Sequence, residues 1–339
     1  MAFTRKSLLA LIAALLLVYL FACGTPTASA PPTTGIFTVV DQAGRTVEIE
    51  RPVERIVSGF YISSSVCLAL DIADRLVGIE AQAETRPIYA LSKPELLELP
   101  NVGTARDFNL EACLALNPDL VILPLRLHEA AETMAEMGVS VILVNPESYM
   151  DMIGMIELIG EATGADERAS RLIEWIEDTR LDIDDMTFLI EIIPEVYFSG
   201  PNDLLTTAPA TMFQSELIEL AGGRNAALDI MGSGWTEISY EQLLVMSPNE
   251  IIIASEAGYD VDDVLNNPNL SELPAVIYGE VHKMPSAIEA WDSPVPGSML
   301  GARWLLGVLL GEQDIYGVLH YVENFYAEFY GFSTHGIVW

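Results

Sequence analysis

The chain is short of positive charge, of histidine and of cysteine, and each shortage narrows what it can do. Its 339 residues hold 16 lysines and arginines against 49 aspartates and glutamates, a formal charge of −33. Such a surface repels nucleic acid and anionic lipid headgroups. The four histidines, His128, His282, His320 and His335, are scattered, a poor basis for converging with carboxylates on a bare zinc or manganese ion. There is no Gly-rich phosphate loop, no Gly-x-Ser-x-Gly elbow and no Cys–His pair with an orienting partner. Catalysis therefore lacks both a recognisable nucleophile and a phosphate cradle. Two of the three cysteines, Cys67 and Cys113, sit in apolar helical patterns and read as buried free thiols. Beyond residue 22 no apolar run approaches the ~20 residues that a membrane span needs.

What is present begins with a leader. Arg5 and Lys6 precede an apolar stretch from Leu8 to Ala22, and small residues follow. That order of basic start, short apolar run and small residues is the pattern of a secretory signal, read here as residues 1–22. Cys23 comes next, at the end of Leu20-Phe21-Ala22-Cys23, where nothing can pack against it. Residues 23–36, rich in Pro, Thr and Ala, have no means of forming a core and read as a flexible tether. Removing the leader takes away two positive charges and makes the mature chain −35 (14 basic less 49 acidic residues). Since 51% of the residues are hydrophobic, the remainder folds, with length enough for two domains.

From Phe37 onward, short apolar runs alternate with helical patterns. Arg55 to Ser58, Leu76 to Ile79, Leu120 to Leu123 and Val139 to Val144 read as buried strands separated by helices, the signature of a parallel sheet. Ser148 to Arg180 is almost continuously helical, broken near Thr163-Gly164-Ala165. The alternation restarts at Val196. An internal echo supports two similar lobes. Asn109 to Leu123 (NLEACLALNPDLVIL) matches Ser239 to Ile253 (SYEQLLVMSPNEIII) at a constant offset of 130 residues. Asn109 and Ser239 are placed to cap their helices, and Gln242 to close a capping box. The expected architecture is α/β: two Rossmann-like lobes with mainly parallel sheets, residues 37–160 and 191–339. One long helix over 161–190 joins them, with a ligand cleft between.

Five stretches in order give the chain a family likeness. They are VVDQAGRTVEIERPVERIVSG (39–59), NVGTARDFNLEACLALNPDLVIL (101–123), LIELAGGRNAA (217–227), ISYEQLLVMSPNEIIIA (238–254) and AWDSPVPGSMLGARWLLGVLL (290–310). Over residues 37 to 312 the sequence resembles the solute-binding lipoproteins of ABC importers for iron–siderophore complexes, haem and cobalamin. Leu20 to Cys23 likewise resembles the lipobox in which the cysteine is acylated and becomes the new N-terminus. The resemblance implies a monomer tethered to the outer face of the cell membrane. It implies a permease dimer with a cytoplasmic ATPase as partner, and Glu111 and Glu241, one per lobe, as the residues that dock on it.

Loops after strand ends supply the candidate cleft residues: Tyr61, Arg86, Arg106, Arg126 and Tyr149 from the first lobe, Trp235, Trp291 and Arg303 from the second. Guanidinium groups suit carboxylates, catecholates and phosphates through paired hydrogen bonds, and aromatic walls suit flat or greasy ligand faces. This combination favours an anionic metal chelate, first a ferric siderophore. Haem would call on Tyr61, Tyr149 or His128 as axial ligand, and cobalamin also stays open. Asp292 to Pro296 reads as a rim loop, with Ser298 capping the following helix. No cofactor is expected, and no catalysis. A chelatase-like enzyme and a surface adhesin are the remote alternatives, the latter having no use for matched docking glutamates. Mass spectrometry of the secreted product should find residues 1–22 removed and Cys23 acylated; an intact leader without fatty acid would overturn this reading.

Overall fold

The computed structural model describes residues 35–311 and 317–339. The signal segment, Cys23 and the tether up to residue 34 lie outside the described residues. Strand β1 (Gly35–Val40) pairs antiparallel with β2 (Thr46–Arg51), so the tether gives way to strand two residues earlier than its composition suggests. The hairpin is held by Asp41, whose carboxylate accepts hydrogen bonds from the Arg45 guanidinium (2.6 Å) and the Leu143 backbone N–H (3.0 Å).

The first lobe follows as β3 (Ile56–Ser58), α1 (Tyr61–Ala69), β4 (Leu76–Gly78), α2 (Pro87–Ser92), α3 (Leu110–Ala115), β5 (Leu120–Pro124), α4 (His128–Glu136) and β6 (Val141–Val144). Its sheet has the order β4-β3-β5-β6 with every pair parallel. β5 and β6 are buried throughout, which explains their unbroken apolar runs. Two helices then follow, α5 (Tyr149–Thr163) and α6 (Asp166–Thr187). Gly164 separates them in the left-handed region at φ 73°, a conformation open to glycine at little cost. Twenty-two residues make α6 about 33 Å long at 1.5 Å per residue. It buries Ala169, Leu172, Ile176, Thr179 and Ile183, a stripe at alternating spacings of three and four.

The second lobe comprises β7 (Glu195–Ser199), β8 (Thr206–Thr207), α7 (Phe213–Leu220), β9 (Arg224–Asn225), β10 (Thr236–Glu237), α8 (Tyr240–Met246), β11 (Glu250–Ile253), α9 (Val261–Leu265), α10 (Pro274–Tyr278), β12 (Val281–Lys283) and α11 (Ser298–Leu309). β7, β9, β11 and β12 run parallel, while β8 and β10 add antiparallel edges. The two sheets are therefore mainly parallel, as the alternation predicts. Helix α12 (Leu319–Phe329) departs from the expected lobe boundary. Although it falls within 191–339, its C-terminal end packs against the first lobe. The Ser92 hydroxyl donates to the Tyr330 carbonyl (2.7 Å), and Arg168 on α6 donates to the Glu328 carbonyl (2.7 Å). Trp175 of α6 lies 4.3 Å from Phe325, ring centre to ring centre.

The internal repeat is visible in the backbone. Asn109 caps α3 by accepting from the Ala112 N–H (2.9 Å), and Ser239 with Gln242 forms the capping box on α8. Each helix then turns through a non-glycine residue in the left-handed region, Asn117 and Ser247, both at φ 48° and again 130 residues apart. Such positions cost L-residues ~1 kcal/mol, so the shared geometry marks equivalent places in the two lobes. Ser298 does not cap α11: it is the first helical residue, and Gly297 precedes it as the cap. Cys67 and Cys113 are buried and free, and burial pushes their thiols up to about 12 and about 11.

Helices α5 and α6 meet at Gly160, where a Cβ would stand 2.6 Å from that of Ala169. Gly160→Val should lower the free energy of unfolding by about 1–3 kcal/mol through overpacking. Chemical denaturation measures it, and an unchanged value would mean that the helices are not held this closely.

Candidate functional site

The carboxyl ends of the parallel strands place the site. β3 ends at Ser58 and β7 at Ser199, each followed by a glycine with a close neighbour. A Cβ on Gly59 would lie 2.6 Å from Leu123, and one on Gly200 would lie 2.9 Å from the Trp235 ring. The chain can therefore turn tightly over each strand end. In α/β sheets this edge is where ligands bind.

Between the lobes lies a cavity of about 170 Å³, lined on one side by Tyr61, Thr85 and Arg86 and on the other by Ser255, Glu256 and Glu289. The Arg86 guanidinium stacks on the Tyr61 ring at 3.6 Å and donates across the gap to Glu256 (3.1 Å). The Arg86 Nε and the Tyr61 hydroxyl are both buried without a hydrogen-bond partner. Burial keeps the Tyr61 phenol protonated by raising it well above its ordinary range, against the pull of the Arg86 charge. A larger depression of about 720 Å³ lies between Leu319 and the C-terminal tail, but it joins no strand ends.

Beneath the cavity runs a buried polar seam. Ser65 of α1 donates to Glu289 (3.0 Å), which also accepts from the Tyr326 hydroxyl (2.8 Å). Trp291 Nε1 donates in turn to Tyr326 (2.8 Å). Burial raises the Glu289 carboxyl from 4.5 to about 7, opposed by the bonds from Tyr326 and Ser65 and by the Arg86 charge. A second buried carboxylate, Glu80, accepts from Ser64 (2.6 Å) and from the Tyr89 hydroxyl; burial raises it too. Asp292 accepts from the Ser255 hydroxyl and backbone N–H, and burial again pushes it upward.

Of the eight candidate cleft residues, the fold brings Tyr61 and Arg86 together at the gap and lays Trp235 over the end of β7. Arg106 and Arg126 are exposed at the carboxyl edge of the first sheet, as is His128 at the start of α4. Three others are elsewhere. Trp291 is 1% exposed and belongs to the core: its backbone and Cβ pack against Gly301 of α11, and its ring lies 5.4 Å from that of Trp339. Tyr149 is buried against Glu177 and Arg180 of α6. Arg303 stacks on Tyr321 of α12 at 3.6 Å, on α11 away from the strand ends. Of Asp292 to Pro296 only Ser293 and Pro294 are partly exposed, and buried Asp292 fastens the segment to Ser255 at the cavity. Glu111 and Glu241 are exposed in the first turns of α3 and α8. Hydrogen bonds from its own backbone N–H and from Ser239 hold the Glu241 carboxyl below the ordinary range.

Composition hid the carboxylates Glu80, Glu256 and Glu289 among 49 acidic residues. One signal was available: Glu80 and Glu256 each stand within three residues of the end of a buried apolar strand.

Two lobes on parallel sheets, a connecting helix and a polar gap between facing strand ends define a two-lobed binding protein. A family model for periplasmic binding proteins matches residues 56–288. The chain belongs to that family and is a substrate-binding protein of the extracytoplasmic space. It is 28% identical over 291 residues to an uncharacterized ABC transporter substrate-binding lipoprotein of Bacillus subtilis, covering 80% of this chain and 87% of that one. It is 24% identical to the molybdate-binding protein of Haemophilus influenzae, over 86% of this chain and 90% of that one. Among solved structures, a periplasmic solute binding protein from Veillonella parvula superposes with a TM-score of 0.76 at 26% identity, covering 88% of this chain and 94% of that one.

Glu289 makes stability depend on pH. Its carboxyl binds a proton more tightly folded than unfolded, so the folded state holds more protons between about 4.5 and 7. Stability from this group is complete below that window and is lost as pH rises through it, by on the order of 3 kcal/mol. Glu289→Gln should remove this loss. Unfolding free energies of both proteins from pH 4.5 to 8 test it, and parallel curves would refute it.

Proposed function

We propose that the chain is the receptor of an ABC importer and that its cargo is a compact metal-containing oxyanion such as molybdate. One observation carries this reading: Arg86 and Tyr61, whose Nε and hydroxyl are buried and unpartnered, both line a gap of about 170 Å³. Both groups are donors, and an oxyanion supplies the acceptors that they lack. Pockets for drug-sized ligands span ~300–1,000 Å³, so a ferric siderophore, haem or cobalamin enters only if the lobes part. The Arg86–Glu256 bridge favours that second reading, because Glu256 is half-exposed and such a pair resists separation only weakly. The 24% identity to a molybdate-binding protein supports the first. In either case Cys23 anchors the receptor, and Glu111 and Glu241, at equivalent places in the two lobes, meet two like permease subunits.

Thermal shift and tryptophan quenching against molybdate, tungstate, ferric catecholates, ferric hydroxamates, haem and cobalamin test the cargo. Molybdate should raise the melting temperature, and Arg86→Ala should weaken it roughly 30-fold or more, ~2 kcal/mol. A response to large chelates alone would overturn the compact oxyanion. Reversing Glu111 and Glu241 to arginine should abolish uptake by cells and leave binding in solution intact.

A further inference from the structure

The second lobe carries a cluster that capture of cargo does not use. Glu250 opens β11, Glu280 directly precedes β12, and His282 is the second residue of β12. Ile251 is in register with Val281, so Glu250 and Glu280 stand side by side. His282, two residues beyond Glu280, projects from the same face of the sheet. One ligand atom from each of the three lies within 4.8 Å of the others.

His282 Nε2 is 3.5 Å from Glu250 Oε2 and 3.4 Å from Glu280 Oε2. Both separations exceed the ~2.7–3.2 Å of an N–H···O hydrogen bond. They match the edge, about 3.3 Å, of a tetrahedron whose corners lie about 2.0–2.1 Å from a zinc-sized centre. Glu250 Oε2 and His282 Nε2 are also shut off from solvent with no hydrogen-bond partner. The two side chains are only 13% and 11% exposed. Leaving such groups unpaired is costly, and a cation between them satisfies both. Glu280, 32% exposed, leaves a way in from solvent.

We propose that Glu250, Glu280 and His282 form a site for one divalent transition metal of the zinc class, with three protein ligands and one position left for water. It stands at the amino ends of β11 and β12, whereas the cargo gap lies beyond the carboxyl ends. A metal held there clips the two strands together and is independent of transport cargo.

The test uses the whole mature chain, stripped of metal and then titrated with zinc chloride in excess magnesium, which occupies the exposed carboxylates. Elemental analysis should find one zinc per chain, with a rise in melting temperature. His282→Gln should weaken zinc at least tenfold, and Arg86→Ala, at the cargo gap, should leave it unchanged. Glu280→Gln, on the accessible side, should weaken zinc likewise and decides the matter if His282→Gln does not fold. No retained zinc, zinc affinity in the His282 and Glu280 variants as high as in the parent chain, or loss of zinc in Arg86→Ala would each overturn the site.

Discussion

One apolar stripe along one helix governs the geometry of the rest. Ala169, Leu172, Ile176, Thr179 and Ile183 lie buried along α6, and no proline or glycine interrupts Asp166–Thr187. A helix of this kind bends only gently. It holds the facing strand ends at a nearly fixed separation, leaving small rotations of the lobes to set the width of the gap. The close approach of α5 at Gly160 and the tilted contact of Trp175 with Phe325 tie this helix to α5 and to α12.

The lobes are also joined by polar groups, and these act differently from the apolar core. The seam from Ser65 through Glu289 to Tyr326 and Trp291 links α1 with the segment under the gap and with the C-terminal helix. Buried hydrogen bonds add little net stability but strongly penalise arrangements that break them. The seam therefore selects one relative placement of these elements. The ion pair between Arg86 and half-exposed Glu256 is weak by comparison.

The architecture was legible in the sequence because periodicity and repetition are local. Unbroken apolar runs such as Val141 to Val144 can only be buried strands, and the offset of 130 residues reappears in paired caps and in the left-handed turns at Asn117 and Ser247. The site was less legible because its membership is decided by distance. Tyr61 and Arg86 were found by asking which residues follow strand ends. The same rule nominated Trp291 and Tyr149, which packing has drawn into the interior. Carboxylates were passed over for their abundance, and the scatter of the four histidines hid Glu280-Val-His282, whose two-residue spacing places both side chains on one face of a strand. Helix α12 reached the first lobe unannounced, since nothing in an amphipathic pattern names the partner.

The bridge between Arg86 and Glu256 has a further consequence. An anion bound to the Arg86 Nε would share the guanidinium with a carboxylate the protein already supplies, so the site carries an internal competitor for an anionic cargo. The affinity it shows is a difference between two ion pairs, smaller than either. Drawing the lobes apart separates Glu256 from the guanidinium, and closing them without cargo restores the pair, so the empty protein has a polar reason of its own to close.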